Sequence, residues 1–507
     1  MTAGVTPLYV SPTDRYFDPD NKNNRIGIID IGSNTIRIVV YDAPARLPIP
    51  IFNERVVCGL GRGIGKTGKL NLVAKKLAFE ALDRFCGLAR EMNVEQFRML
   101  ATAAVRDSID GTEFAREVEE RCGYPVNILS GEEEARLGAM GILGGLPNAD
   151  GLFADMGGGS LDLMSLNLGQ FGKSATLPLG HLRITETAEG NFDKAKKIID
   201  QHLATVHWLS GGEGRNLYAI GGIWRAIARV YIQQYDYPLH IIDNLTVNVG
   251  SAKDLTQIIS QLSRRSLKGM TSVARKRADT LPFAALVLNR LLKATRPKEL
   301  IFSGYGLREG QFFDLLSDKM KLQDPLISAC QGFAQRGGRF SLHGEEIANW
   351  IKPVFPNALA EDLRILQAAA LLSDIGWTEH PDYRALHSFI RILRLPIAGI
   401  THRERIMLAL TIFVRYNGRR HQYEVQQVRH LLEDEDQNSA VIMGLALKLA
   451  HVLSAGVPGL LTRAKLTKSD KGIILDLSDK KQLFKSETVK RIIGKLTKLM
   501  DVELLLQ

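Results

Sequence analysis

One pattern occurs twice in this chain and constrains its fold more than any other feature. Residues 26–42 read IGIIDIGSNTIRIVVYD, and residues 151–166 read GLFADMGGGSLDLMSL. In each, an apolar run is interrupted by an acid (Asp30, Asp155), a turn of small residues follows, and alternating apolar positions then resume. Two strands joined by such a turn leave backbone N–H groups in a small concavity that favours an anion. Glycine takes up the required backbone angles and lets the anion approach closely. A single copy is ordinary Asp-Gly turn chemistry. Two copies a domain length apart point to an internal duplication that clamps phosphate. An acid repels phosphate, so its place is beside a divalent cation, which takes carboxylate and phosphate oxygens together.

The chain of 507 residues exceeds one ordinary core, and roughly 150 residues per domain suggests three or four units. With 45% hydrophobic and 24% charged residues it belongs with globular proteins. No apolar run reaches the ~20 residues of a membrane span, so no membrane partner is expected. The first residues lack the basic start and apolar block of a secretory signal. Cys58, Cys86, Cys122 and Cys330 form no CxxC pair, which argues against a disulfide framework and for a reducing, cytoplasmic setting.

Five segments are expected. Residues 1–24 are polar and read as flexible. Residues 25–140 and 141–314 form the two halves of the duplication. In the second half NLYAIGG and ELIFSGYGLREGQFFDLL each read as strand, glycine, helix. Residues 315–455 carry apolar positions at helical spacing, as in RALHSFIRILRL and RIMLALTIFVRY. Residues 456–507 read as a small basic module, with a strand-like KGIILDLSD and a helix-like SETVKRIIGKLTKLM.

The sequence between the two turns carries further candidates. In ATAAVRDS, Arg106 reads as lying at a helix start, where a guanidinium can fork onto phosphate oxygens. Taken alone it reads rather as a surface arginine at a helix end. In VNILSGEEEARLGAMGIL three glutamates open a helix, an arrangement that the helix dipole alone would favour. Its place just upstream of the second turn lets one carboxylate reach the phosphate pocket and orient a water. GLGRGIGKTGK (Gly59–Lys69) imitates a P-loop, but Leu60 stands where the first glycine is needed. It reads as a flexible basic loop beside the cleft, with Lys66 or Arg62 meeting a phosphate chain. Trp224, after Gly221 and Gly222, reads as a helix core residue.

Two such turns facing each other across a cleft are what the actin-like, sugar-kinase and heat-shock ATPases share. The set DIGSNTIRI, ATAAVRD, SGEEEARLG, DMGGGSLDL, LPLGHLRITE, AIGGIWRAIAR and SGYGLREG resembles, in order and spacing, the exopolyphosphatase/guanosine pentaphosphate phosphohydrolase family. The resemblance implies duplicated α/β actin-like (ribonuclease H-like) domains, then an all-α HD-like domain and a small α+β C-terminal module. It makes Glu134 the base that positions water and Arg106 the phosphate-binding arginine. Ser33, Asn34, Thr35, Gly157, Gly158, Gly159 and Ser160 become the phosphate loops. Asp155, Asp162 and Glu134 become ligands of Mg²⁺ or another divalent cation, although Asp162 stands where the family usually has glutamate. In the HD-like stretch LLSDIGW, Ser373 precedes Asp374 where histidine is expected. His380, His387, His402 and His421 do not restore the set, so that domain reads as a non-catalytic binding element. A homodimer is also implied.

The expected activity is processive release of the terminal phosphate from linear inorganic polyphosphate. A net charge of +10 raises the local concentration of polyanions. The tail cations Arg463, Lys465, Lys468, Lys471, Lys480, Lys481, Lys485, Lys490, Arg491, Lys495 and Lys498 would add weak contacts along one polymer. Hydrolysis of guanosine pentaphosphate uses the same chemistry and stays open, as does a non-hydrolytic actin-like nucleotide-binding protein. A nucleic-acid partner rests on charge alone. It calls for aromatics interleaved with cations, and aromatics are only 7%.

Overall fold

The computed structural model describes residues 24–42, 45–47, 49–337, 343–419, 421–469, 472–476, 486–501 and 503–506. The segment expected to be flexible falls outside them except for its last residue, as do Lys471, Lys480, Lys481 and Lys485 of the basic tail.

Two mixed sheets repeat one plan. The first has the order β3-β2-β1-β4-β5, built from β1 (Arg25–Ile31), β2 (Ile36–Tyr41), β3 (Pro50–Val56), β4 (Val94–Ala101) and β5 (Val126–Ile128). The second has the order β10-β11-β9-β6-β7-β8. It is built from β6 (Gly151–Met156), β7 (Leu161–Asn167), β8 (Gln170–Leu177), β9 (Asn216–Ile220), β10 (Leu245–Asn248) and β11 (Glu299–Phe302). In each, an antiparallel hairpin gains a third antiparallel strand on one side and a parallel strand on the other, β4 on β1 and β9 on β6. The duplication expected from the two turns is therefore present in the strand order.

Burial explains the strands. Ile26, Ile28, Ile29 and Ile31 of β1 are all buried, as suits a strand covered on both faces. The helix Leu72–Glu91 presents Ala74, Ala78, Ala81, Leu82, Phe85 and Ala89 to the first sheet at helical spacing. Its start is fixed by Asn71, whose side chain accepts from the Ala74 N–H. β1, β4 and β5 run parallel and end side by side, with Ile31 opposite Ala101 and Ala101 opposite Ile128. Their C-terminal edge is where open α/β sheets place ligands. The first turn, Arg106 and the helix bearing Glu134 all follow at that edge.

A close helix crossing ties the halves together. The helix Gly131–Gly145 meets the helix Leu307–Asp314 so tightly that a Cβ on Gly310 would lie 1.7 Å from the Leu137 carbonyl oxygen. From 325 onward the chain is helical around its own apolar core. It docks on the second half through Asn244, which donates to the Ile400 carbonyl at 3.0 Å, and through the Tyr237 hydroxyl, 2.8 Å from His402 Nδ1. A small third sheet, β12 (Lys465–Ser469), β13 (Gly472–Asp476) and β14 (Glu503–Leu506), follows with the helix Glu487–Met500. Among the described residues no helix is long and apolar enough to cross a membrane.

The crossing gives a direct expectation. Gly310→Ala must push the two helices apart, and is expected to destabilise the protein by about 1–3 kcal/mol. A urea unfolding midpoint equal to that of wild type would refute the crossing.

Candidate active site

The two turns are built alike. The Gly32 N–H donates to the Thr35 carbonyl at 3.0 Å, and the Gly157 N–H donates to the Ser160 carbonyl at 3.0 Å. Their other carbonyls are drawn off to neighbours. Those of Ser33 and Asn34 accept from Gly61 and Gly59 at 2.8 and 3.1 Å, and those of Gly157 and Gly158 accept from His181 and Leu182 at 3.1 and 2.9 Å. The N–H groups of Ser33, Asn34, Thr35, Gly158, Gly159 and Ser160 are left without an acceptor among the described residues. A Cβ on Gly158 would lie 2.8 Å from that of Ser33, so the turns meet face to face. Two sets of free donors thus converge on one place, as an anion requires.

The stretch 59–69 is a bracket for the first turn, tied down rather than flexible. Besides holding the Ser33 and Asn34 carbonyls, it donates from the Gly63 N–H to Glu186 Oε1 at 3.3 Å. Arg62 and Lys66 are exposed on it.

The acids are treated in different ways. Asp30 faces Arg37 across β1–β2, whereas Asp155 faces Asp162 across β6–β7. Asp30 accepts from Arg308 Nη1 at 2.8 Å, so it is matched by a protein cation and is not an open carboxylate. Asp162 is 1% exposed, and each of its oxygens already accepts from a hydroxyl, Ser160 at 2.9 Å and Thr176 at 2.8 Å. Burial still pushes its pKa up to about 6. Asp155 is half-buried and has no hydrogen-bond donor among the described residues. Burial, reinforced by the charge of Asp162, pushes it up to about 7. Gly221, at φ +107°, lies against it, and a Cβ there would come within 2.9 Å of Asp155 Oδ1. Only glycine leaves that carboxylate uncovered.

The glutamate run divides its labour. Ser130 Oγ accepts from the Glu133 N–H, and Glu133 Oε2 accepts from the Ser130 N–H at 2.8 Å, a reciprocal cap. Glu132 is exposed. Glu134 turns inward, and its Oε2 accepts from Arg106 Nη1 at 2.8 Å. Burial and the charge of Asp162 hold its pKa well above the usual carboxylate range, against the pull of Arg106. Arg106 also donates to the Leu129 carbonyl at 3.1 Å and from Nε to Asp107 at 3.2 Å. It ends the one-turn helix Ala103–Arg106 rather than starting a helix, because the chain turns off the end of β4 there.

Among the described residues no three His, Cys, Asp or Glu side chains form a metal cage. The open Asp155 with Asp162 and Glu134 beside it nevertheless fits a magnesium-type ion. Such an ion keeps several waters and takes one or two carboxylates together with substrate phosphates.

A wall of cations went unread in the sequence. Arg37 and Arg55 are register partners on β2 and β3, and Arg225 and Arg229 lie one helical turn apart across the cleft. Arg277 donates to the Gly222 carbonyl. Burial, then the proximity of other arginines, lowers Arg37 and Arg277 to about 10. Lys276 is lowered by burial and by Arg55. Four separate segments supply these groups; the pairing of β2 with β3 and the i, i+4 spacing were the available signals. Trp224 is fully buried, as expected, and donates to the Ala284 carbonyl at 3.1 Å. Beside Asp374 and Ser373 stand His451, 2.8 Å from Ser373 Oγ, and Arg415, 3.0 Å from Asp374. His343 packs edge-on against His451. Of the four histidines singled out from the sequence, His402 pairs with Tyr237 and His387 with Glu379.

The profile of the Ppx/GppA phosphatase family matches residues 39–319, and that of the exopolyphosphatase C-terminal region matches residues 326–505. The chain is 26% identical to Retrograde regulation protein 2 of Saccharomyces cerevisiae, covering 82% of this chain and 78% of that protein. It is 23% identical to a guanosine-5'-triphosphate,3'-diphosphate pyrophosphatase of Aeromonas salmonicida, over 84% and 85%. The crystal structure of an exopolyphosphatase from Cytophaga hutchinsonii superposes with a TM-score of 0.53 at 22% identity, covering 58% of this chain and 99% of that one. The fold is thus that of duplicated actin-like domains followed by a helical region.

The crowding of acids sets a pH dependence in metal-free protein. Folded, Asp155 keeps its proton up to about pH 7, while unfolded it releases it at about pH 4. The folded state holds the extra proton between those values, so stability falls as pH rises through that window. In the presence of a chelator Asp155→Asn is expected to flatten this slope, and to be roughly 1–3 kcal/mol more stable than wild type at pH 8. Thermal melts across the window check it; equal slopes would refute it.

Proposed function

The chain belongs to the Ppx/GppA phosphatase family, and from that premise we propose that it is an exopolyphosphatase, hydrolysing the terminal phosphoanhydride of linear polyphosphate. The observation that carries this reading is the pair of matched turns whose unpaired N–H groups meet beside Glu134 and Arg106. The terminal phosphoryl sits on those donors, which are aimed at charge spread over its oxygens in the transition state. Arg106 supplies a fork to the same oxygens. As it turns from Glu134 to the phosphate, Glu134 loses its cation and its affinity for a proton rises, which suits a base that orients and deprotonates the attacking water. A divalent cation held by Asp155, with Asp162 and Glu134 beside it, would add neutralising charge at the phosphoryl oxygens. Asp162, fixed by Ser160 and Thr176, shapes the second turn from behind. The arginine wall leads away from the turns and takes the following phosphates of the chain.

A second reading, removal of the terminal phosphate of guanosine pentaphosphate, draws on the pyrophosphatase relative. The arginine wall lies beside Gly221 and Gly222, where a nucleotide's other phosphates would also be held. Phosphate release from both substrates with Mg²⁺ separates the two. Polymer hydrolysis by wild type, reduced at least ~100-fold in Glu134→Gln, supports the first reading. Hydrolysis of the nucleotide alone supports the second. Release from neither would leave a binding clamp, and the actin-like nucleotide-binding reading would replace both.

The wall has its own test. Arg55→Ala and Lys276→Ala remove exposed cations that belong to neither turn, so KM for long chains is expected to rise roughly 3–10-fold with kcat within about twofold. A large fall in kcat at unchanged KM would refute this role.

A further inference from the structure

The catalytic pair Arg106–Glu134 lies in the first half of the molecule, yet its geometry depends on a side chain from the second. Arg106 Nε donates to Asp107 Oδ1 at 3.2 Å, and the other Asp107 oxygen accepts from Arg183 Nη2 at 2.6 Å. Arg183, Asp107, Arg106 and Glu134 therefore form a row of alternating charges that crosses the cleft. We propose that Arg183 is a positioning residue: it clasps the two halves shut and, through Asp107 and Arg106, sets the base Glu134 against the phosphate turns. The inference rests on the hydrolase reading above for its catalytic consequence, but not for the clasp itself.

Three observations support a coupled motion rather than an isolated ion pair. The short helix His181–Thr187 that carries Arg183 is fastened to the second turn, with the N–H groups of His181, Leu182 and Arg183 donating to the Gly157 and Gly158 carbonyls. Gly180 permits this, since a Cβ there would lie 2.3 Å from the Gly159 carbonyl carbon. Arg183 and the second turn thus move as one body. Glu186, on the same face of that helix three residues on, accepts from the Gly63 N–H of the bracket that holds the first turn. Whatever brings the two turns together also brings Arg183 to Asp107 and Glu186 to Gly63.

The pair contributes little to folding stability. Both side chains remain 29% exposed, and ion pairs of that exposure are largely offset by solvent. Its effect is geometric. Without Arg183, Asp107 is free to take both arms of the Arg106 guanidinium, a bidentate arrangement that draws Arg106 away from Glu134 and from the substrate. A displacement of about 1 Å at such a group lowers turnover by up to about a hundredfold.

Arg183→Ala, Arg183→Lys, Asp107→Asn and the double variant Arg183→Ala/Asp107→Asn are compared by steady-state phosphate release and by small-angle X-ray scattering without substrate. With wild type active, Arg183→Ala is expected to lower kcat roughly tenfold or more. KM should change less, Arg183→Lys should recover part of the loss, and the double variant should be no worse than the more damaged single one. A kcat for Arg183→Ala within twofold of wild type, or single effects that multiply in the double variant, would overturn the clasp. Should wild type hydrolyse neither substrate, the hydrolase reading fails, and scattering alone decides the clasp. A larger radius of gyration in Arg183→Ala sustains it; superimposable profiles overturn it.

Discussion

The crossing of the helices Gly131–Gly145 and Leu307–Asp314 underlies the rest of the site, because both helices begin at the cleft. One carries Glu134 four residues into its run, and the other carries Arg308, whose guanidinium holds Asp30 at 2.8 Å. Their separation is set by backbone contact at Gly310, not by side chains that could repack. The base of the proposed reaction and the acid beneath the first turn are therefore placed relative to each other by main chain. A side-chain spacer at this crossing would shift Glu134 and Arg308 together and spoil the alignment of the two turns.

Asp30, Asp155, Asp162 and Glu134 lie near one anion site, and the protein partners them unequally. Asp30 has an arginine, Asp162 has two hydroxyls, Glu134 has an arginine, and Asp155 has no hydrogen-bond donor among the described residues. The gradation follows from electrostatics: a buried carboxylate without a partner is held by solvent or by an ion, never by apolar surroundings alone. The two halves of the duplication have diverged at this point. Where the first hairpin sets Asp30 opposite Arg37, the second sets Asp155 opposite Asp162. One half thereby matches its acid with a protein cation, whereas the other sets two acids side by side.

Much of the architecture was legible because it rests on short-range pattern. Apolar alternation broken by acid and glycine placed both hairpins, and the strand–glycine–helix repeats placed β9 and β11. The helix start at the three glutamates was legible for the same reason, although the reciprocal cap between Ser130 and Glu133 was not read there. What escaped was contact between distant segments. Arg308 on Asp30 joins residues 278 positions apart, and Arg183 on Asp107 joins residues 76 apart. His343 and His451 were passed over in favour of four histidines that lie between Asp374 and His451 in sequence. The bracket 59–69 misled in a different way. Its glycines, which read as a flexible loop, let its backbone donate to the first turn, with Gly61 and Gly59 N–H groups on the Ser33 and Asn34 carbonyls.

A duplicated α/β fold with two anion turns does not by itself distinguish an enzyme that holds a nucleotide from one that cuts a phosphate chain; the surroundings of Gly221 and Gly222 bear on the choice. A nucleoside needs an apolar slot with an open face for its base. Here Trp224 fills the core behind Gly221 and Gly222, and Arg277 occupies the Gly222 carbonyl. The space ahead is lined by Arg37, Arg225 and Arg229 from opposing elements. Crowded like charges of this kind are unfavourable until an anion joins them, and the gain on binding grows with the number of phosphates that enter. In the proposed reaction the same cations would take the phosphates that follow the end of the chain, and would lower the cost of gathering Asp30, Asp155, Asp162 and Glu134 around it.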